Sequence, residues 1–196
     1  MPDITETQTQ KAALRASALA RRDALPAAER AAAAETIAAR AFPLTIVPGT
    51  IVSGYSAMKT EINPIPLLRK LNQAGASLAL PAIASRGKPL IMRAWSFGAP
   101  LKAGQWGICE PVPDAAEVFP DILIVPQACF DRTGHRIGYG AGYYDMTIRG
   151  LRNRKKVVAI GVAFAAQEIA KVPATTRDER LDLVLTEREI IDFRGL

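Results

Sequence analysis

Short apolar segments alternate with helical segments along most of this chain of 196 residues, and this alternation restricts the possible folds. Continuous apolar character and β-branched residues predict strands at residues 50–55, 77–80, 91–95, 121–125, 157–162 and 183–186. Because a helix between two strands returns the chain across the sheet, such strands run parallel. The alternation therefore predicts an α/β protein that has a mainly parallel sheet with helices on both faces.

Helical spacing is clear in four segments. The first forty residues are rich in alanine, and Leu14, Ala18 and Leu19 recur on one face of a predicted N-terminal helix. Further helices are predicted at residues 26–42, 63–75 and 143–153. We expect residues 1–10 to be a flexible terminus, Pro81 to close the second strand, and the Pro- and Gly-rich residues 82–120 to hold a hairpin.

Length and composition indicate an ordinary globular chain. Hydrophobic residues make up 49% and charged residues 22%, so we predict one domain over residues 1–196. One histidine and two cysteines without a CxxC pair exclude a structural zinc site, which needs about four such ligands. The longest apolar run covers residues 157–166, whereas a membrane span needs about 20 residues. We expect a cytoplasmic monomer without membrane contacts.

The chain is basic, and the excess charge is local. The net charge is +6, and seven basic against two acidic residues give residues 131–156 a charge of +5. This charge favours an anionic partner. A solvated basic face remains the plain alternative.

A glycine-rich segment follows the strand at 121–125 and precedes a predicted helix. Gly138, Gly140 and Gly142 alternate, which lets the backbone approach an anion and point N–H groups at it. Arg136 precedes the glycines and suits phosphate oxygens, and Asp145 follows them and suits Mg²⁺. The segment is neither a Walker A loop nor G-x-G-x-x-G. It predicts a nucleotide-phosphate site, and the alternatives are a flexible turn and a helix cap at Asp145.

Residues 130–145 resemble the signature of the 5-formyltetrahydrofolate cyclo-ligase family, F-D-x-x-G-x-R-[LI]-G-x-G-x-G-[YF]-Y-D. Three further segments are similar to that family in the same order. Residues 11–15 match its K-x-x-[LM]-R, residues 58–61 match a segment that ends in glutamate, and residues 172–187 match V-P-x-x-x-x-D…T-E.

The resemblance implies a three-layer α/β/α sandwich and a specific reaction. The family converts 5-formyltetrahydrofolate to 5,10-methenyltetrahydrofolate while MgATP becomes ADP and phosphate. The formyl oxygen is expected to take the γ-phosphoryl group, after which N10 of the folate attacks the activated carbon and phosphate leaves.

The resemblance also implies site residues, with Arg136 as the catalytic one. ATP binding falls on Lys11, Arg15, Arg136, Gly138, Tyr139, Gly140, Ala141, Gly142, Tyr143 and Tyr144. Folate binding falls on Ser56, Glu61, Tyr139, Gly140, Ala141, Gly142 and Tyr143. Mg²⁺ would be held by Asp145 and Asp178.

One departure from the family concerns the loop charge. Many relatives carry a basic residue at one or both variable glycine-loop positions, which here are Tyr139 and Ala141. Trp106 is a further candidate for stacking on a flat ring. Two other functions stay open, a basic nucleic-acid-binding protein and an α/β enzyme for a phosphorylated metabolite such as a sugar phosphate. No RRM, KH, zinc-finger or helix-turn-helix signature supports the first of these.

Overall fold

The computed structural model describes residues 4–195 and confirms the predicted α/β fold. Seven strands form the main sheet: β1 Ile51–Ser53, β2 Ser77–Ala82, β3 Ile91–Trp95, β6 Ile122–Val125, β9 Val158–Val162, β10 Leu183–Leu185 and β11 Ile190–Asp192. Their order in the sheet is β11-β10-β9-β6-β1-β2-β3. The five inner strands run parallel, and the outer strands β3 and β11 are antiparallel to their neighbours.

Helices cover both faces of the sheet, so the three-layer arrangement is present. Ile122 and Ile124 of β6 pack with α2 (Ala27–Ala39) and α3 (Ile65–Gln73) on one face. Leu123 and Val125 pack with α4 (Tyr143–Arg152) on the other. Side chains alternate across a strand, so a strand covered by helices on both faces is apolar throughout.

The first helix lies apart from these two layers. Helix α1 (Ile4–Asp23) packs against a short hairpin of β7 (Cys129–Phe130) and β8 (Arg136–Ile137). The buried residues Ala18, Cys129, Ile137 and Val172 form this small core. Residues 4–10 of the segment expected to be flexible form the first turns of α1. Residues 1–3 lie outside the described part.

Residues 82–120 hold the predicted hairpin, formed by β4 (Leu101–Ala103) and β5 (Cys109–Pro111). Pro81 does not close β2, which continues to Ala82. Strand β1 pairs only with residues 77–79, so the missing N–H of Pro81 disrupts no bond to β1. Helix α2 ends at Ala39 rather than near Phe42.

The strand order reverses at β1. From β1 the chain moves to β2 on one side and later to β6 on the other. In parallel sheets, ligands bind beyond the carboxyl ends of strands at such a switch point. Residues 54–62 follow β1 and residues 126–142 follow β6, so the predicted folate segment and the glycine loop share this edge of the sheet.

Candidate active site

Residues 138–142, which we call the glycine loop, connect β8 to α4. Gly140 has φ +104 and Gly142 has φ +69, both in the left-handed region that favours glycine. Gly142 is the N-cap of α4 and provides no side-chain cap, which leaves the first helical N–H groups available to an anion. A Cβ on Gly138 or Gly142 would meet nothing within 4 Å, so the backbone there is open to a ligand.

We expect Gly142→Ala to lower the free energy of unfolding by about 1–2 kcal/mol, because an L-residue is strained in the left-handed region. The space around Gly142 is open, so the backbone conformation alone causes the loss. Gly138→Ala is the matched control, since Gly138 has equal space and no positive φ. Urea unfolding of both variants measures the difference, and equal stabilities would contradict it.

One face of α1 brings basic side chains to this loop. Lys11, Arg15 and Arg22 are spaced by four and seven residues, which places them on the same side of a helix. Arg15 Nε donates to the Gly138 carbonyl at 2.7 Å. Its guanidinium also lies 3.7 Å from a Cβ built on Gly140. The predicted proximity of Arg15 to the glycine loop is therefore present in the structure.

Lys11 is buried and pairs with Asp178. Its Nζ lies 2.7 and 2.6 Å from the two carboxylate oxygens. The backbone N–H and hydroxyl of Thr175 also donate to Asp178 Oδ2. Burial raises the pKa of Asp178, but these hydrogen bonds outweigh burial and hold the pKa below its ordinary value. The two residues predicted to bind ATP and Mg²⁺ thus bind one another.

Arg136 is buried and cross-links the start of α4 to the loop before β10. Its Nη1 lies 3.0 Å from Asp145 Oδ1 and donates to the Glu179 carbonyl at 2.9 Å. The Glu179 N–H donates to the same Asp145 oxygen at 3.0 Å. Arg136 Nε is buried without a hydrogen-bond partner among residues 4–195. These contacts give Arg136 a role in holding the end of the glycine loop.

The predicted metal ligands lie in neighbouring segments, because Asp145 contacts Glu179, which follows Asp178. Mg²⁺ prefers an octahedron of oxygen ligands. Both Asp178 oxygens are already engaged, whereas the contacts of Asp145 fall on Oδ1. In the described part of the chain, no group of three His, Cys, Asp or Glu residues could hold a metal. Of the two predicted ligands, Asp145 therefore fits Mg²⁺ better, through Oδ2, and phosphate and water would have to complete the octahedron.

Glu61 lies in the segment after β1, and one of its carboxylate oxygens has no hydrogen-bond partner among residues 4–195. Its Oε2 accepts from the Met58 N–H at 2.7 Å, while Oε1 is buried without a hydrogen-bond partner among the described residues. Burial raises the pKa of Glu61, and the Tyr139 hydroxyl, the Met58 N–H and the Arg22 charge partly offset this. Tyr139 lies close enough to lower the pKa, although it makes no hydrogen bond of normal geometry to Oε1.

The remaining residues that were predicted to bind ATP or folate are engaged mostly with other parts of the protein. The Ser56 hydroxyl donates to the Cys109 carbonyl at 2.6 Å and so faces β5. Tyr144 packs against the core beneath α4, and Tyr143 begins that helix. Ala141 is exposed on the glycine loop. The side chain of Trp106 lies outside the described part of the structure.

Arg22 is a site residue that the sequence interpretation missed. Its Nη1 donates to the Tyr139 hydroxyl at 2.6 Å, and its Cζ lies 5.9 Å from the centroid of that ring. Its Nε donates to Thr60 Oγ1 at 3.0 Å. The signal available in the sequence was its helical spacing from Lys11 and Arg15.

The basic residues of 131–156 are mostly neutralised within the chain. Their ion pairs are Arg132 with Glu168 and Glu189, Arg136 with Asp145, Arg149 with Glu179, Arg152 with Glu179 and Asp182, and Lys155 with Asp121. Arg154 lies over the Phe119 ring, with its Cζ 4.7 Å from the centroid. Such pairing favours a neutralised surface over a nucleic-acid patch.

Comparisons with known proteins show which family the chain is similar to. The family model described as "5-formyltetrahydrofolate cyclo-ligase family" matches residues 7–187. A 5-formyltetrahydrofolate cyclo-ligase of Mycolicibacterium smegmatis is 33% identical over 94% of this chain and 97% of its own length. The corresponding Escherichia coli protein is 29% identical over 76% and 84%. The solved structure of an Aquifex aeolicus 5,10-methenyltetrahydrofolate synthetase has a TM-score of 0.75, with 29% identity over 94% of this chain and 93% of that one. The chain belongs to the 5-formyltetrahydrofolate cyclo-ligase family.

Proposed function

We propose that this chain converts 5-formyltetrahydrofolate to 5,10-methenyltetrahydrofolate, with ATP giving ADP and phosphate. The observation that carries the proposal is the juxtaposition of two complementary sites at the switch point of the sheet. An uncapped helix N-terminus with Arg15 beside it suits phosphate, and the unpartnered Glu61 Oε1 suits a ring N–H. Tyr139 of the glycine loop lies between them.

The chain's own residues would act on ATP by positioning and charge. Enzymatic phosphoryl transfer depends mainly on alignment and electrostatic stabilisation. The glycine-loop N–H groups, the start of α4 and Arg15 would bind the phosphates, while Arg136 and Lys11 hold the surrounding segments. Mg²⁺, carried with ATP and held by Asp145, would neutralise charge on the phosphates. The structure supports Asp178 as the partner of Lys11 rather than as a free ligand.

The chemistry itself takes two steps. The formyl oxygen bonds to the γ-phosphorus, and the bond between that phosphorus and the leaving oxygen of ADP breaks. N10 then attacks the formyl carbon and gives up its proton to the solvent, and phosphate leaves with the former formyl oxygen. Glu61 would hold the pterin ring by accepting its N–H groups, so that N10 and the formyl group lie beside the glycine loop.

Glu61→Gln is expected to raise the KM for 5-formyltetrahydrofolate by about tenfold while the KM for ATP changes little. The change keeps the volume but removes the charge and one acceptor, and a hydrogen bond to a charged group contributes about 1.5–3 kcal/mol. Glu35→Gln, on the exposed face of α2, is the matched control. Equal effects on the two substrates would give Glu61 a structural role instead.

The decisive assay follows the absorbance of the methenyl product from 5-formyltetrahydrofolate with and without MgATP. Product that requires MgATP supports the proposal. Absence of product, or product formed equally well without ATP, would contradict it. Titration with duplex DNA and RNA at two salt concentrations tests the nucleic-acid alternative, since that binding weakens steeply with salt.

The surroundings of the reaction are also proposals. Within residues 4–195, the helices are too short or too polar to cross a membrane. Cys109 and Cys129 are both free, which suits a reducing compartment. We propose that the chain acts as a cytoplasmic monomer on small molecules, without nucleic-acid or membrane partners.

A further inference from the structure

Arg22 is a buried cation whose local partners do not explain its burial. The residue is 3% exposed. Its hydrogen bonds to Tyr139 and Thr60 are to neutral hydroxyls, and its nearest ion-pair partner in the described chain, Asp23, lies 3.4 Å away with a side chain that is 56% exposed. Burying an arginine is costly unless charges compensate it. The position of Arg22 therefore points to another anion nearby.

The candidate for that anion is the Glu61 carboxylate, because Glu61 directly follows Thr60, whose hydroxyl accepts from Arg22. Burial raises the pKa of Glu61, and the Tyr139 hydroxyl, the Met58 N–H and the positive charge of Arg22 offset part of this increase. The Tyr139 hydroxyl accepts from Arg22, so its own proton remains free to face Glu61. Tyr139 thus touches the guanidinium on one side and approaches the carboxylate on the other.

Tyr139 also belongs to the glycine loop, between Gly138 and Gly140. Arg22 therefore joins α1, the segment after β1 and the glycine loop through Thr60 and Tyr139. A group in this position connects the proposed folate subsite with the proposed phosphate subsite. It lies on the same face of α1 as Arg15, which contacts the loop backbone.

We propose that Arg22 is a positioning residue for the folate: its hydrogen bonds to Thr60 and Tyr139 hold the Glu61 segment against the glycine loop, so that the Glu61 carboxylate can accept from the N–H groups of the pterin ring. The inference rests on the proposed folate activity. In this proposal Arg22 contributes to the affinity for folate, whereas nucleotide binding depends on Arg15 and the glycine loop.

The other titratable groups near Glu61 are phenols. Tyr55, Tyr139 and Tyr144 all lie in its electrostatic surroundings, and burial raises the pKa of each. These three side chains are neutral at neutral pH, so within the described chain Arg22 is the positive charge that acts on the Glu61 carboxylate. Without Arg22, Glu61 binds a proton at higher pH, and folate binding is lost earlier as the pH falls.

The test is calorimetric titration of 5-formyltetrahydrofolate without nucleotide, from acidic to neutral pH, on wild type, Arg22→Gln, Tyr139→Phe and the double variant. Each single variant is expected to raise the Kd about tenfold. The double variant should raise the Kd little further, because both changes remove the same hydrogen bond between Arg22 and Tyr139. Arg22→Gln should also move the acidic loss of binding to higher pH. In Arg22→Gln, the Kd for ATP should stay within about twofold, less than the loss of one hydrogen bond.

Arg21→Gln is the matched control, since Arg21 is the adjacent arginine and binds Ala166 and Ser17 on another face. A folded Arg22→Gln variant with the wild-type folate Kd would overturn the proposal, as would an equal loss of ATP affinity. If Arg22→Gln does not fold, Tyr139→Phe decides, because it removes only a hydroxyl from a side chain that is 40% exposed.

The same titration separates this inference from the proposed reaction. Wild type that binds 5-formyltetrahydrofolate but forms no methenyl product would refute the reaction, while the variant comparison would still decide the role of Arg22. Wild type that binds no 5-formyltetrahydrofolate would overturn both.

Discussion

Arg136→Met is expected to lower the free energy of unfolding by about 3 kcal/mol, because it leaves Asp145 and the Glu179 carbonyl without their cation. The Arg136 side chain is 3% exposed and that of Asp145 is 25% exposed, so the loss falls at the lower end for a buried pair. The start of α4 also loses its anchor. We therefore expect kcat/KM for ATP to fall about 10- to 100-fold.

Arg149→Met is the matched control for this variant. Arg149 pairs with Glu179 from the surface, where an ion pair contributes less than about 1 kcal/mol. Urea unfolding and steady-state kinetics measure both effects. Equal stability of the two variants would contradict the buried pair, and normal turnover by Arg136→Met would remove Arg136 from the nucleotide site.

Lys11→Met is expected to have the second large effect, a loss of about 3 kcal/mol in stability at neutral pH. The change leaves the Asp178 carboxylate, 15% exposed, without its cation. Because the pKa of Asp178 is lowered in the fold, the pair stabilises the protein above the ordinary aspartate pKa. That contribution disappears as the pH falls through the lowered pKa, so the variant should depend less on pH in the acid range.

A second substitution separates the structural role of Lys11 from its proposed role at the nucleotide. In Lys11→Met/Asp178→Asn the uncompensated charge is gone, so stability should recover toward wild type. ATP turnover should remain low, by about 10- to 100-fold, if the ammonium also contacts phosphate. Recovery of turnover together with stability would show that Lys11 acts only as the partner of Asp178. Lys171→Met provides an exposed lysine control nearby.

The sheet was predictable where a strand is buried on both sides. The unbroken apolar run at 122–125 indicated such a strand, and its side chains do enter both cores. The hairpin of β7 and β8 was not predictable, since two-residue strands carry no period. It depends on Asp131, whose carboxylate accepts from Thr133, His135 and Val172. Only the tertiary fold brings the last of these donors to it.

The candidate site shows the same division. The four-residue spacing of Lys11 and Arg15 places them on one face of α1, and the alternating glycines indicated an open loop before a helix, which the structure shows. The partner of Lys11 was not predictable, because Asp178 lies 167 residues away and several carboxylates share its segment. The family resemblance indicated a metal ligand at Asp178, whereas in the fold this carboxylate contacts the Lys11 ammonium.

The way α1 is attached to the protein links its docking to the contents of the site. Its small apolar core involves Leu14 and Ala18, and its other contacts include the polar bonds of Lys11, Arg15 and Arg22. An element with few buried apolar contacts opens locally at a lower free energy than the sheet. A nucleotide that binds only the docked helix stabilises that state by mass action. If nucleotide binds in this way, its concentration sets the fraction of molecules in which α1 is docked, and site occupancy and helix docking become one thermodynamic equilibrium.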